Sequence, residues 1–121
     1  MLTVVRHPLH RLVSAYRDKV ERSSSWARRR LCAQLGRREE RCEVSWREFV
    51  HHLTSSPTHL YDSHWAPVSS HCQVCHLNYR RILKVETLEE DWEEVRGEVG
   101  LELADLPHLN NNHNQRGEIL R

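Results

Sequence analysis

Residues 2–20 read LTVVRHPLHRLVSAYRDKV, and this stretch decides the fold. Leu2, Thr3, Val4 and Val5 form a compact apolar, β-branched run that reads as a short buried strand. Pro8 suits a first helical position, where its missing N–H costs nothing, and it pushes His7 toward an extended conformation. Beyond it Leu9, Leu12, Val13, Tyr16 and Val20 recur at helical spacing and mark one buried face, while Arg11, Arg17, Asp18 and Lys19 fall on the others. A strand that runs into a helix start gathers unpaired N–H groups and the positive end of the helix dipole, a natural place for an anion. Arg6 sits at that turn and can add a guanidinium fork that matches phosphate. Ser14 can donate a hydroxyl if its side chain leans back toward the helix start. By spacing alone, an arginine at a strand end and a serine in an amphipathic helix are equally the furniture of an ordinary domain.

Outward from this stretch the chain is modest. Its 121 residues suffice for one small domain. A net charge of +1 excludes the basic field of a nucleic-acid binder. No run approaches the 18 or so apolar residues of a membrane span, and no signal peptide is visible. Cys32, Cys42, Cys72 and Cys75 are even in number, which permits disulfides without fixing them.

After a break at the serines 23–25, residues 26–35 (WARRRLCAQL) suggest a short helix stopped by Gly36. Arg28, Arg29, Arg30, Arg37 and Arg38 make this the most basic region. It reads as a solvated face balanced by Glu39 and Glu40, or as a contact for an anionic polysaccharide. Ser45 and Glu48 have capping-box spacing, and Trp46, Phe49, Val50 and Leu53 follow as a helical stripe, so a helix is expected over 45–53 with Trp46 and Phe49 as core anchors. Residues 54–74 are loop-like, with Pro57 and Pro67. Residues 77–85 (LNYRRILKV) read as a second strand with Leu77, Tyr79, Leu83 and Val85 on one face. Thr87 and Glu90 repeat the capping-box spacing before a helix marked by Leu88, Trp92, Val95 and Val99, and residues 106–121 form a polar, Asn-rich tail. The order is strand, helices, long loop, strand, helix. The expected class is α/β, with parallel strands flanked by helices and a long Cys/His-containing loop.

The loop carries the densest chemistry, HWAP at 64–67 and HCQVCH at 71–76. Cys72 and Cys75 have zinc-ligand spacing, with His71, His76 or the pair Cys32 and Cys42 as further ligands, but no second knuckle of the right form is present. A redox C-x-x-C would open a helix after a strand, whereas this one precedes a strand. A structural disulfide in a secreted loop is the remaining reading.

Arg6-x-Pro8 followed by Ser14-x-Tyr16 resembles the 3′-phosphate-binding motif of sulfotransferases that use 3′-phosphoadenosine-5′-phosphosulfate. The longer string VRHPLHRLVSAYRDK is similar to the carbohydrate sulfotransferases of the Golgi that modify chondroitin, dermatan and related glycans. HWAPVSSHCQVCHLNY followed by ILKVETLEED resembles a second block of that family. It matches at His64, Trp65, Pro67, Cys72, Cys75, Tyr79, Ile82, Lys84 and residues 86–91, and it departs at Arg80, Leu83 and Val85, where the family tends to carry Asp, Gly and Phe. The resemblance implies a partial P-loop-like sulfotransferase domain over residues 1–105, with the family's 5′-phosphosulfate loop lying before residue 1. It implies transfer of a sulfuryl group to a hydroxyl of a glycosaminoglycan or related glycan, on the lumenal side of the Golgi membrane, with any membrane anchor outside this chain and no metal.

Arg6 and Ser14 would then grip the 3′-phosphate. Related enzymes place the catalytic base, a His or Glu, ahead of this motif, and His64 is the candidate within the chain. Otherwise His64 and Trp65 simply pin the loop to the core. Lys84 and Glu86 read as a strand-end pair, near the cofactor or purely structural. Recognition of the nucleotide with little or no turnover is the expected behaviour. A non-catalytic zinc module and an inactive paralogue are the competing readings, the latter suggested by Arg80.

Overall fold

A computed structural model describes residues 1–22, 25–38 and 42–98. Two of the serines at 23–25, the acidic pair Glu39 and Glu40 and the tail at 106–121 lie outside the described residues. Two units are distinguished, residues 1–88 and residues from 89 onward.

In the first unit the strand β1 (Leu2–Val5) leads through His7 into the helix α1 (Pro8–Ala15), with proline at the helix start as expected. The helical path continues to residue 21, but as a wider π-helical segment, Tyr16–Glu21. Sequence periodicity does not separate the two. The segment buries Tyr16 and Val20 and ends with Arg22 N–H donating to Arg17 O at 3.1 Å.

The helix α2 (Trp26–Gln34) starts at Ser25, whose Oγ accepts from Arg28 N–H at 3.2 Å. It ends where Gly36 adopts φ +69°. Gly36 N–H then donates to Ala33 O at 3.0 Å and Arg37 N–H to Cys32 O at 2.9 Å, the paired bonds of a Schellman stop. A side chain at position 36 would be strained by that φ, so glycine belongs there.

The helix α3 (Trp46–Ser55) runs two residues beyond the expected end. Its capping box forms as read: Glu48 N–H donates to Ser45 Oγ at 3.3 Å, and Ser45 N–H returns to Glu48 Oε2 at 2.9 Å. Glu48 also takes a hydrogen bond from the Arg37 guanidinium. Arg37 first, then the Ser45 backbone and hydroxyl, hold the Glu48 carboxyl down at about 2, against burial that pushes the other way. This depressed group stabilises the fold fully above its unfolded value near pH 4.5, and the contribution is lost as pH falls toward 2. The E48Q variant is accordingly expected to flatten the acid limb of a stability profile between pH 4.5 and 2. An acid limb identical in both proteins, followed by circular dichroism, would remove this linkage.

Residues 54–74 are less irregular than expected. They contain a 3-10 turn, Thr58–Leu60, and a short helix α4, Val68–Cys72, which ends where Gln73 adopts φ 47°. The second strand is also shorter than read. β2 spans Arg81–Lys84, because the chain at 74–77 turns back on itself, with His76 and Leu77 N–H both donating to Gln73 O.

β1 and β2 pair in parallel, Leu2 with Arg81 through Val5 with Lys84, as an α/β arrangement requires. The sheet has two strands, and β1 is not buried: Val4 is 47% and Ile82 59% exposed, and of the strand residues Leu83 alone is fully covered. The expectation of a buried strand fails because each strand has only the other as a neighbour among the described residues.

The core lies instead among the helices. Phe49 is fully enclosed by Tyr16, Trp46 and Trp65, whose ring centroids lie 5.3, 5.7 and 5.3 Å away. Leu31, Val20 and Leu53 fill the space around them. The Tyr16 hydroxyl finds Val44 O at 2.8 Å, which satisfies the one polar atom this ring brings inside. In the second unit the helix α5 (Leu88–Arg96) carries Glu89, Glu90 and Asp91 in its first turn, the favourable end for acidic groups. Among the described residues no helix is long and apolar enough to cross a membrane.

Candidate anion and proton-transfer site

The turn between β1 and α1 is built as the sequence suggests, but part of its affinity for anions is used internally. Glu86 Oε1 accepts the His7 N–H at 2.9 Å and lies 3.5 Å from His10 Nδ1. That backbone N–H, ahead of the other contacts, holds the Glu86 carboxyl below the usual carboxylate range. Glu86 therefore acts as a cap on α1 supplied from beyond β2, a structural role.

Arg6 and Ser14 are both half-buried, and neither makes a hydrogen bond or ion pair among the described residues. The contrast with the other half-buried arginines is informative. Arg11 donates to Ala66 O at 2.6 Å and Ser63 O at 3.0 Å, Arg28 donates twice to Cys42 O, and Arg17 is engaged as well. Of these four, Arg6 alone keeps its donors free among the described residues. It lines a recess of about 380 Å³ together with Arg11, Ser63, His71 and Cys72, and four valines make up the rest of the wall. Ser14 does not line this recess. Six residues along a helix from Pro8, it stands about 9 Å further down the axis.

Arg11 lies off the buried face of α1, as expected, and from there it straps α1 to the turn that carries His64, across more than 50 residues of sequence. Within that turn Asp62 is 4% exposed, and its Oδ1 accepts His64 N–H at 3.1 Å and meets His64 Nδ1 at 2.5 Å. Trp65 and Ala66 N–H both donate to Asp62 O, closing the turn. Burial raises the Asp62 carboxyl, but the side-chain and backbone bonds from His64, with the charge of Arg30, outweigh it and hold the group below its usual range. An ionised Asp62 accepts from Nδ1–H, so a neutral His64 ring presents its Nε2 as a proton acceptor. Sequence reasoning missed Asp62. The available signal was Asp62-Ser63-His64, the pattern of a side chain that bonds its own backbone two residues on.

The cysteines resolve differently from the C-x-x-C readings. Cys32 and Cys42 form the disulfide, and Cys72 and Cys75 are free thiols. Cys32 and Cys42 are thus unavailable as ligands, and no three His, Cys, Asp or Glu side chains converge to hold a metal among the described residues. In the basic stretch, Arg28 braces the disulfide through Cys42 O, and Arg37 donates to Glu43 O at 2.7 Å. Arg30 stacks over Trp26 at 5.4 Å. Two of its five arginines, Arg28 and Arg37, thus brace the chain at residues 42–43.

The strand–turn–helix at the start of the chain is the arrangement expected of the first sequence block, and the chain belongs to the sulfotransferase family, whose profile matches residues 1–118. It is similar to carbohydrate sulfotransferase 9 of Homo sapiens, 39% identical over 98 residues that cover 72% of this chain and 22% of that protein. Carbohydrate sulfotransferase 11 of Rattus norvegicus is 35% identical over 101 residues, 72% of this chain and 29% of that protein. Carbohydrate sulfotransferase 14 of Homo sapiens is 34% identical over 98 residues, 75% of this chain and 26% of that protein. The chain thus spans between 22% and 29% of these relatives' lengths. No solved structure matches it significantly.

Proposed function

We propose that this chain forms the 3′-phosphate side of a carbohydrate sulfotransferase that uses 3′-phosphoadenosine-5′-phosphosulfate, with a glycosaminoglycan or related glycan as acceptor. The observation that carries this reading is Arg6, half-buried at the end of β1 and without a partner among the described residues, in a recess whose walls hold no carboxylate. A half-buried guanidinium has lost part of its hydration, and an anion that pairs with it restores those hydrogen bonds. The family motif assigns Ser14 a hydroxyl contact with that phosphate as well, from outside the recess that Arg6 lines. The donor supplies the sulfuryl group. On the acceptor side, His64 Nε2 takes the proton of the sugar hydroxyl as its oxygen bonds to sulfur, the bond from sulfur to the 5′-phosphate oxygen breaks and adenosine 3′,5′-bisphosphate leaves, while Asp62 holds the ring. The Cys32–Cys42 disulfide accords with an oxidising compartment such as the Golgi lumen.

Calorimetric titration with adenosine 3′,5′-bisphosphate tests the reading. A charge-assisted hydrogen bond contributes about 1.5–3 kcal/mol, so R6A should weaken binding roughly 10- to 100-fold. S14A removes a neutral partner and should weaken it about 5-fold. If the double variant binds as the unaltered chain does, with an unchanged circular dichroism spectrum, Arg6 and Ser14 are not the clamp.

A further inference from the structure

The recess beside Arg6 has a second side that neither motif accounts for. It is made by Ser63, before the HWAP turn closes, and by His71 and Cys72 on α4. The frame of this side is hydrogen-bonded throughout. Arg11 fixes the carbonyls of Ser63 and Ala66 just ahead of Pro67, the residue that precedes α4. Tyr79 Oη donates to Cys72 O at 2.6 Å, and the Gln73 carbonyl accepts two backbone N–H groups, which pins the other end. The side chains that border the space are used differently. His71 is exposed and, like Arg6, makes no hydrogen bond or ion pair among the described residues, and the Cys72 thiol is free. A rigid frame with uncommitted donors is the arrangement that binds a ligand with little ordering cost.

We propose that His71, which lines the same recess as Arg6, is a second ligand of the phosphomonoester at this site, and that the valines beside them receive the apolar body of the nucleoside. The inference rests on the 3′-phosphate reading above and adds a residue to it. The volume, about 380 Å³, lies in the range of small-molecule sites. Two guanidinium groups, an imidazole and a hydroxyl, with no acidic wall residue, select an anion over a cation. The imidazole donates an N–H to a phosphate oxygen in either protonation state, so the contact needs no particular pH.

The free cysteines supply a test that needs no turnover. Cys72 borders the recess, whereas Cys75 is exposed and outside it. Saturating adenosine 3′,5′-bisphosphate should slow alkylation of Cys72 by N-ethylmaleimide at least 5-fold and leave Cys75 unchanged, read by peptide mass spectrometry on the whole chain. H71A should raise the dissociation constant of the bisphosphate about 3- to 10-fold, the value of one hydrogen bond, and H71Q, which keeps a donor, should recover part of it. Adenosine without phosphate should not distinguish these variants. His71 lies on the surface, so its replacement leaves the core intact.

If R6A weakens binding but H71A does not, or if Cys72 and Cys75 are protected equally, the inference about His71 is overturned and the 3′-phosphate reading stands. If the unaltered chain does not bind the bisphosphate, or if R6A and H71A both bind like it, the underlying reading fails and this inference with it.

Discussion

Replacing Phe49 with alanine is expected to destabilise the chain by about 3–5 kcal/mol, the range for emptying a buried aromatic site. Phe49 has no exposed surface and sits against Tyr16, Trp46 and Trp65 at centroid distances of 5.3–5.7 Å. The Trp65 contact is edge-to-face at 88°, a geometry that adds about 0.5–1.5 kcal/mol beyond area burial. Domains are typically stable by only about 5–15 kcal/mol, so the variant should lose most of its margin. Urea titration by near-ultraviolet dichroism should show a transition displaced to low denaturant or no cooperative transition. F49L, which keeps much of the volume, should lie between. A midpoint within error of the unaltered chain would mean that this cluster is not the core. The loss should reach the candidate site too, because Trp65 adjoins His64 in the turn that Phe49 supports.

Removing the Cys32–Cys42 bond is the second large effect. The bridge closes a short loop, with a sequence separation of 10, and in the chain-entropy account such a loop contributes about 3 kcal/mol. The C32S/C42S variant adds the cost of placing two hydroxyls where the cysteines are 1% exposed. A shift of the thermal midpoint by about 10 °C or more is expected, since each kcal/mol moves a domain of this size by roughly 4–8 °C. Reductant added to the unaltered chain should reproduce most of the shift, and C72S/C75S should leave the midpoint in place. Equal midpoints with and without reductant would show that the bridge does not support the fold.

What could be read from the sequence was local, and what could not was distant. The α3 capping box and the Gly36 stop involve residues within five positions of one another, and both formed as read. The parallel pairing of β1 with β2 follows from two apolar runs separated by helices, and it also formed. Arg11 could be placed only off the buried face of α1, because nothing in its own helix reveals a partner more than 50 residues away. Glu86 was ambiguous for the same reason: the N–H it caps belongs to His7. Cysteine count permitted several pairings, and only the placement of α2 against residues 42–44 brings Cys32 to Cys42. At the candidate site, Arg6 was singled out by its motif, whereas His71 gains meaning only from the recess it lines with Arg6, and Asp62 only from its bonds to His64.

The bond between His7 and Glu86 spans 79 residues, and the two strands pair across the same offset. Closing a flexible loop of that length costs about 4 kcal/mol of chain entropy. Helices α1 to α3 and the aromatic cluster need no such closure with the far end of the chain. On a ribosome, therefore, Arg6 is made well before Glu86, and the turn that holds it stays uncapped until Glu86 has emerged.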